Sequence, residues 1–75
     1  MPRPPVISGM EAVKAFERVG YEVSHQTGSH VILRRRTPPH RHLSVPNHRE
    51  VAQGTLRGLI RDAGLTVEEF VSLLK

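Results

Sequence analysis

Cysteine and tryptophan are absent from this 75-residue chain, and aromatic side chains are scarce. Without cysteine there is no disulfide bond and no thiolate nucleophile, and a reducing compartment suits the chain. The aromatic residues are two phenylalanines and one tyrosine, and Phe16 and Phe70 both fall in apolar stripes. A surface of stacked aromatic rings, of the kind that binds single-stranded nucleic acid, is therefore not expected.

Long apolar runs are missing as well. No segment approaches the ~20 apolar residues that a membrane-spanning helix needs. The beginning of the sequence lacks the apolar stretch of a signal peptide, and residues 1–7 form a proline-rich lead instead. We expect a single domain over residues 1–75, located in the cytoplasm without membrane contacts, with a small core of modest stability.

Positive charge is in excess. Eleven Lys and Arg residues against seven Asp and Glu give a formal net charge of +4 at pH 7. Such an excess attracts polyanions, among which nucleic acid is the commonest. A soluble basic domain with no such partner would have the same composition, so charge alone does not decide between them.

Capping signals and apolar spacing predict three helices. Ser8 and Glu11 form a capping box at the start of the first, and Gly20 provides the left-handed residue that ends it. Thr66 and Glu69 form a second capping box, before a short C-terminal helix. A stripe of apolar residues closed by a glycine predicts the middle helix: Leu56, Leu59, Ile60, Ala63 and Gly64.

Three short strands are predicted between the first two helices. Residues 21–26 alternate apolar and polar side chains, and residues 30–35 form the returning strand. Leu43 and Val45 mark a third strand, which Pro46 ends. Consecutive strands joined by turns form an antiparallel sheet, with the first two helices on one face. The predicted fold class is α+β, and its α-β-β-β-α order matches that of the double-stranded-RNA-binding domain.

Between the first two strands lies the strongest candidate for a catalytic site, Gly28-Ser29-His30. An imidazole titrates near pH ~6.5, so His30 could both take and give a proton under cellular conditions. Gly28 would let the backbone approach a phosphate, and Ser29 could donate a hydrogen bond. The alternative is a glycine turn followed by an exposed histidine without a catalytic role. His25 shares the apolar face of Val23, which predicts a partly buried strand residue rather than a second catalytic group.

Several arginines are candidates for holding phosphates. Alternation along the second strand places Arg34 and Arg36 on the face of the candidate histidine and Arg35 on the opposite face. Arg57 and Arg61 stand one turn apart on the polar side of the middle helix. The alternative is a set of solvated charges with no ligand.

Three further histidines invite comparison with a metal site. His40 and His42 are two residues apart, and His48 follows. A zinc site needs three or four ligands, and neither cysteine nor a nearby acidic residue completes this set. Polar loop histidines are the stronger interpretation, and we expect no metal ion and no cofactor.

Short motifs in a fixed order connect this chain to a known family. They are Ser8-Gly9, Val19-Gly20-Tyr21, Gln26-Thr27-Gly28-Ser29-His30, Val45-Pro46-Asn47-His48, Gly54-Thr55-Leu56-Arg57, Ala63-Gly64-Leu65-Thr66 and Glu69-Phe70. With them the chain resembles the HicA/YcfA family, the messenger-RNA-cleaving half of a type II toxin–antitoxin pair. One segment departs from the pattern, because residues 36–40 replace a tight glycine hairpin.

The resemblance implies a fold like that of the double-stranded-RNA-binding domain, endonucleolytic cleavage of messenger RNA, and inhibition by a HicB antitoxin. It also places the family's catalytic histidine at His30. Together with the residues themselves, it predicts a metal-independent endoribonuclease toxin that works by general acid–base catalysis. Two alternatives stay open: a non-catalytic RNA-binding module that recognises duplex shape, and an interaction domain whose basic face binds an acidic protein.

Overall fold

The computed structural model describes residues 4–74, which contain six elements of secondary structure. In chain order they are α1 (Gly9–Glu17), β1 (Tyr21–Gln26), β2 (His30–Arg35), β3 (His42–Pro46), α2 (Gln53–Asp62) and α3 (Val67–Ser72). The strands form one antiparallel sheet in the order β1-β2-β3. The predicted α+β class, the α-β-β-β-α order and the short C-terminal helix are confirmed.

Helix boundaries lie close to where the capping signals place them. At the start of α1, Ser8 Oγ accepts a hydrogen bond from the Glu11 amide at 3.2 Å, and Glu11 Oε1 accepts one from the Ser8 amide at 3.0 Å. The second capping box forms in the same way at α3. Gly20 and Gly64 follow α1 and α2 with left-handed φ angles of 100° and 77°, as predicted. None of the helices in residues 4–74 has the length and apolar character needed to cross a membrane.

One face of the sheet carries the core, and within residues 4–74 no helix covers the other. Val31 and Leu33 of β2 are buried with Leu43 and Val45 of β3, and the buried residues of α1 and α2 pack in the same cluster. Both helices therefore lie on this side, as predicted. We call the opposite side the open face; strand register assigns to it Glu22, His25, His30, Ile32, Arg34, His42 and Ser44.

Aromatic contacts connect the helices to the first strand. The ring of Phe16 in α1 lies 6.1 Å from that of Tyr21 in β1 and 5.1 Å from that of Phe70 in α3, measured between centroids. All three rings are buried. Their packing fixes α3 against α1, so the aromatic residues serve the core, consistent with the expectation that they form no stacking surface.

The described part of the proline-rich lead packs onto the rest of the molecule, while residues 1–3 lie outside the described residues. Pro4 and Ile7 are buried. The Val51 amide donates to the Ile7 carbonyl oxygen at 2.9 Å, and Gln53 Nε2 donates to the Pro4 carbonyl oxygen at 3.3 Å. These bonds hold residues 4–7 beside the segment that leads into α2.

A close backbone contact joins the start of α1 to the end of β3. The Gly9 amide donates to the His48 carbonyl oxygen at 2.8 Å. A Cβ atom at Gly9 would overlap the carbonyl oxygen of Pro46 and would lie 3.0 Å from Asn47 Cα. Only glycine lets the two main chains approach this closely.

The segment that departs from the family pattern forms an ordered loop between β2 and β3. The Arg35 amide donates to the Arg41 carbonyl oxygen, and the Arg41 amide donates to that of Pro39, both at 2.8 Å. His40 Nδ1 lies 3.0 Å from the Arg35 carbonyl oxygen, and the Pro38–Pro39 peptide bond is cis. The loop therefore closes the strand pair with local hydrogen bonds of its own.

Candidate active site

His30 is the first residue of β2, and its side chain lies on the open face opposite Pro46. Ser29 Oγ lies 2.9 Å from His30 Nδ1, within hydrogen-bond distance. With Nδ1 engaged, Nε2 is the nitrogen left to exchange a proton with a ligand. His30 is half-buried in the sheet. Partial burial restricts the ring, which favours a fixed orientation.

Main-chain hydrogen bonds hold the hairpin that carries this histidine. The Thr27 amide donates to the His30 carbonyl oxygen at 2.9 Å, and Thr27 Oγ1 donates to the same oxygen at 3.3 Å. The Asn47 amide, just beyond β3, donates to the Ser29 carbonyl oxygen at 2.8 Å. Both ends of the Ser29-His30 segment are thus attached to neighbouring chain.

Gly28 lies in the turn between β1 and β2, as predicted, but its backbone conformation is one that other residues also adopt. Its φ angle lies outside the left-handed region, which among the described glycines only Gly20 and Gly64 occupy. A Cβ atom at Gly28 would meet nothing within 4 Å. The fold of the isolated chain therefore does not require glycine here, and the backbone beside Ser29 is open to an approaching group.

Arg34 and Arg36 converge on one carboxylate, that of Glu22, which lies far from them in sequence. Arg34 Nη1 lies 3.7 Å from Glu22 Oε1, and Arg36 Nε lies 3.9 Å from Glu22 Oε2. The two arginine side chains are 39% and 60% exposed, so these long ion pairs contribute little stability and are screened by salt. Both guanidinium groups stay accessible to a phosphate. Arg35 pairs with Tyr21 in the register, on the opposite side of the sheet, as alternation predicts.

Arg57 and Arg61 lie elsewhere. Both are exposed residues of α2, whose buried side faces the core, so they belong to the helical layer and not to the open face. Arg57 lines a cleft of about 240 Å³ together with Gln53 and Gly54. Arg61 Nε lies 3.8 Å from Asp62 Oδ1. The structure does not bring these two arginines together with His30.

The predicted position of the His25 side chain is wrong. Register pairs Val23 with Leu33 but His25 with Ile32, so Ser24 is an extra residue in a β-bulge. The bulge inverts the alternation, and His25 lies exposed on the open face rather than partly buried. Ser24 Oγ lies 3.2 Å from His25 Nδ1. The repeated Ser-His dipeptide, at 24–25 and 29–30, is the sequence signal that could have drawn attention to it.

The remaining histidines are dispersed. His42 lies opposite Arg34 on the open face, His40 contacts the Arg35 carbonyl oxygen, and the backbone of His48 bonds to α1. Within residues 4–74, no three His, Asp or Glu side chains are grouped so that they could hold a metal ion. These histidines are polar surface residues in this arrangement.

Comparison with known families identifies a match. A family model described as "HicA toxin of bacterial toxin-antitoxin" matches residues 9–65, well over half of the chain. The matched span runs from the first residue of α1 through the sheet and α2, and it includes every candidate site residue named above. No curated protein matches the chain.

Proposed function

Because this chain belongs to the HicA toxin family of bacterial toxin–antitoxin systems, we propose that it is an endoribonuclease that cleaves messenger RNA in the cytoplasm and is inhibited by a HicB-type antitoxin. The observation that carries the proposal is the position of His30. Its ring is held by Ser29 on the same face as two accessible arginines, Arg34 and Arg36. This arrangement combines a proton-transfer group with cations suited to a phosphate.

RNA supplies its own nucleophile, so the protein needs only to move protons and offset charge. His30 either accepts the proton of the attacking 2′-hydroxyl or donates one to the departing oxygen. A positioned general acid or base contributes ~10²–10⁴-fold to the rate. Arg34 lies four residues along β2 from His30, roughly 13 Å at ~3.3 Å per residue, and Arg36 lies beyond it, so these two arginines bind phosphates next to the cleaved one and hold the RNA in place. No step in this route uses a metal ion or cofactor, and we expect cleavage to continue in the presence of EDTA.

The other predicted contacts have separate roles in this proposal. The open space beside Gly28 lets a phosphate approach the main chain, and Ser29 holds the histidine ring. Arg57 and Arg61 in the helical layer would contact phosphates that flank the cleaved one, on RNA that continues past the edge of the sheet. Their removal should lower affinity without changing the chemical step.

The test is incubation of the purified chain with a messenger RNA transcript, followed by mapping of the cut ends. We expect internal cuts that leave a 2′,3′-cyclic phosphate, and we expect a HicB-type antitoxin to suppress them. Salt-dependent RNA binding without cleavage would favour the non-catalytic RNA-binding module. Absence of RNA binding would favour an interaction domain for an acidic protein.

Removing one charge from the arginine pair should weaken RNA binding. We expect Arg34→Gln and Arg36→Gln each to lower affinity and to reduce the slope of log affinity against log salt by about 1. Glutamine is preferred to glutamate, because a new carboxylate would lie against Glu22. The measurement is RNA affinity at several salt concentrations, made in His30→Ala protein so that the RNA stays whole.

Arg35→Gln is the matched control, since Arg35 lies on the other side of the same strand. We expect it to change affinity less than the two neighbouring variants. Equal losses for all three would indicate a diffuse electrostatic surface with no phosphate site. A loss confined to Arg35→Gln would show that the opposite face of the sheet binds RNA.

Binding of the antitoxin should stabilise this small domain. A ligand that binds only the folded state raises its apparent stability by ~2.7 kcal/mol at 100 times the dissociation constant. We expect the thermal midpoint to rise with antitoxin concentration, and we expect the His30 ring signals to be shielded from solvent in the complex. Full inhibition with unchanged ring signals would contradict direct masking of His30.

A further inference from the structure

Cleavage through the 2′-hydroxyl moves two protons, whereas one imidazole carries only one at a time. One proton leaves the attacking hydroxyl, and another arrives on the departing 5′-oxygen. Resting on the function proposed above, we propose that His25 is the second proton-transfer group and acts with His30 across the scissile phosphate.

A β-bulge gives His25 its position. Val23 pairs with Leu33 and the next pair joins His25 to Ile32, so Ser24 is unpaired. Side chains alternate along a strand, and one extra residue moves those that follow to the opposite face. His25 thereby reaches the open face, on which His30 also lies. Bulges are frequent beside active sites because they redirect a side chain in this way.

The two histidines are diagonal neighbours on adjacent strands. His25 lies opposite Ile32, and His30 precedes Ile32 by two residues on β2. Residues in such positions are ~7–8 Å apart, with their Cβ atoms somewhat closer. Two hydrogen bonds of about 2.6–3.2 Å, made to oxygens on opposite sides of one phosphorus, span a comparable length. A phosphate between the rings can therefore contact both.

Each histidine is held by the serine that precedes it. Ser24 Oγ lies 3.2 Å from His25 Nδ1, and Ser29 Oγ lies 2.9 Å from His30 Nδ1. In both pairs the serine engages the same ring nitrogen, which leaves Nε2 for proton exchange. His25 is exposed, so packing does not explain its position.

The proposed step is balanced between the two rings. A neutral imidazole takes the 2′-hydroxyl proton as the bond from the 2′-oxygen to phosphorus forms. A protonated imidazole gives its proton to the 5′-oxygen as the bond from phosphorus to that oxygen breaks. The products are a 2′,3′-cyclic phosphate and a 5′-hydroxyl, and no further reactant is consumed.

The charged side chains near His25 do not compete with it for the role of proton-transfer group. Glu22, on the same strand, is engaged by Arg34 and Arg36 at 3.7 and 3.9 Å. These ion pairs occupy the Glu22 carboxylate with the two arginines. A guanidinium group has only hydrogen-bond donors and no acceptor, so neither arginine replaces an imidazole as the base.

The two other histidines near this face are less suitably placed. His42 lies four residues along β3 from Pro46, the partner of His30, which is roughly 13 Å at ~3.3 Å per residue. The carbonyl oxygen of His48 accepts a hydrogen bond from the Gly9 amide at 2.8 Å. The backbone of His48 therefore lies beside α1 and not in the sheet. Both provide matched histidine controls.

The test is the pH dependence of RNA cleavage. Two cooperating imidazoles give a bell-shaped profile with one limb on each side of its maximum. We expect this shape for the wild type, and we expect His25→Ala to lose ~10²–10⁴-fold in rate together with one limb. His25→Gln, which keeps a polar group near Ser24, should lose as much. His42→Ala and His48→Ala should keep both limbs.

A modified substrate separates the two roles. RNA with sulfur in place of the departing 5′-oxygen at the mapped cleavage site needs no proton donor, because a thiolate leaves readily. We expect this substrate to restore cleavage by one of His25→Ala and His30→Ala and not by the other. Equal responses of the two variants would contradict a division into acid and base.

Failure of this inference is distinguishable from failure of the proposed function. A wild-type chain that does not cleave RNA removes the proposed function itself. If the wild type cleaves and His30→Ala is inactive, but both His25 variants retain the rate and both limbs, only the role of His25 is overturned. A one-limbed wild-type profile, or loss of a limb in His42→Ala or His48→Ala alone, would overturn it too.

Discussion

Replacement of His30 by alanine is expected to abolish RNA cleavage and growth inhibition. A positioned proton-transfer group contributes ~10²–10⁴-fold to a rate. Within residues 4–74 no other side chain occupies the place of the His30 imidazole, so none replaces it. The fold should persist, since the side-chain hydrogen bond that is lost joins His30 to its exposed neighbour Ser29. Such a bond contributes about 0.5–1.5 kcal/mol. The measurements are the rate of transcript cleavage, growth of expressing cells, and the thermal midpoint.

His40→Ala is the control for this substitution, because His40 lies in the loop after β2 and its ring bonds to the Arg35 carbonyl oxygen at 3.0 Å, away from His30. We expect it to cleave RNA at the wild-type rate. A His30→Ala protein that cuts RNA nearly as fast as the wild type would remove His30 from the mechanism. A His30→Ala protein that unfolds would identify a structural histidine, and His30→Gln would then distinguish loss of packing from loss of the imidazole.

Gly9→Ala has the largest expected effect on stability. Alanine within a helix is normally better than glycine by roughly 0.5–1 kcal/mol, but here the new methyl group would overlap the Pro46 carbonyl oxygen. Overpacking against atoms that cannot move aside costs about 1–3 kcal/mol or more. A domain of this size loses roughly 4–8 °C of thermal midpoint per kcal/mol, so we expect a clear fall in thermal denaturation.

Gly58→Ala is the matched control in α2, since a Cβ atom there would meet only Arg61 Nη2, at 3.9 Å. We expect this second variant to gain about 0.4–1 kcal/mol, a change of opposite sign. Gly9→Ala should also reduce cleavage, because Pro46 pairs with His30 and Asn47 bonds to Ser29. Gly9→Ala with wild-type stability would show that α1 and β3 can separate without cost.

Local signals predicted much of this fold. The serine and glutamate three residues apart before α1, and the glycines after α1 and α2, each act through atoms within a few residues of one another, so a sequence shows them directly. Alternation also placed Val31 and Leu33 in the core and Arg34 on the face of His30. These predictions hold because each depends only on the period of a helix or strand.

The features that sequence could not predict depend on distant parts of the chain. The bulge at Ser24 becomes visible only once β1 is paired with β2, because the extra residue is defined by its missing partner. The contact of Gly9 with Pro46 joins residues far apart in sequence. Glu22 meets Arg34 only because the hairpin register sets them opposite each other. Candidate site residues were therefore found by type, whereas their grouping required the structure.

The bond from the Asn47 amide to the Ser29 carbonyl oxygen uses main-chain atoms on both sides. Any residue with an amide hydrogen can supply it, so position 47 should tolerate a wide range of side chains without loss of the hairpin. Proline alone has no amide hydrogen to donate. A saturation library at this position, selected for toxicity, should therefore accept most residues and exclude proline.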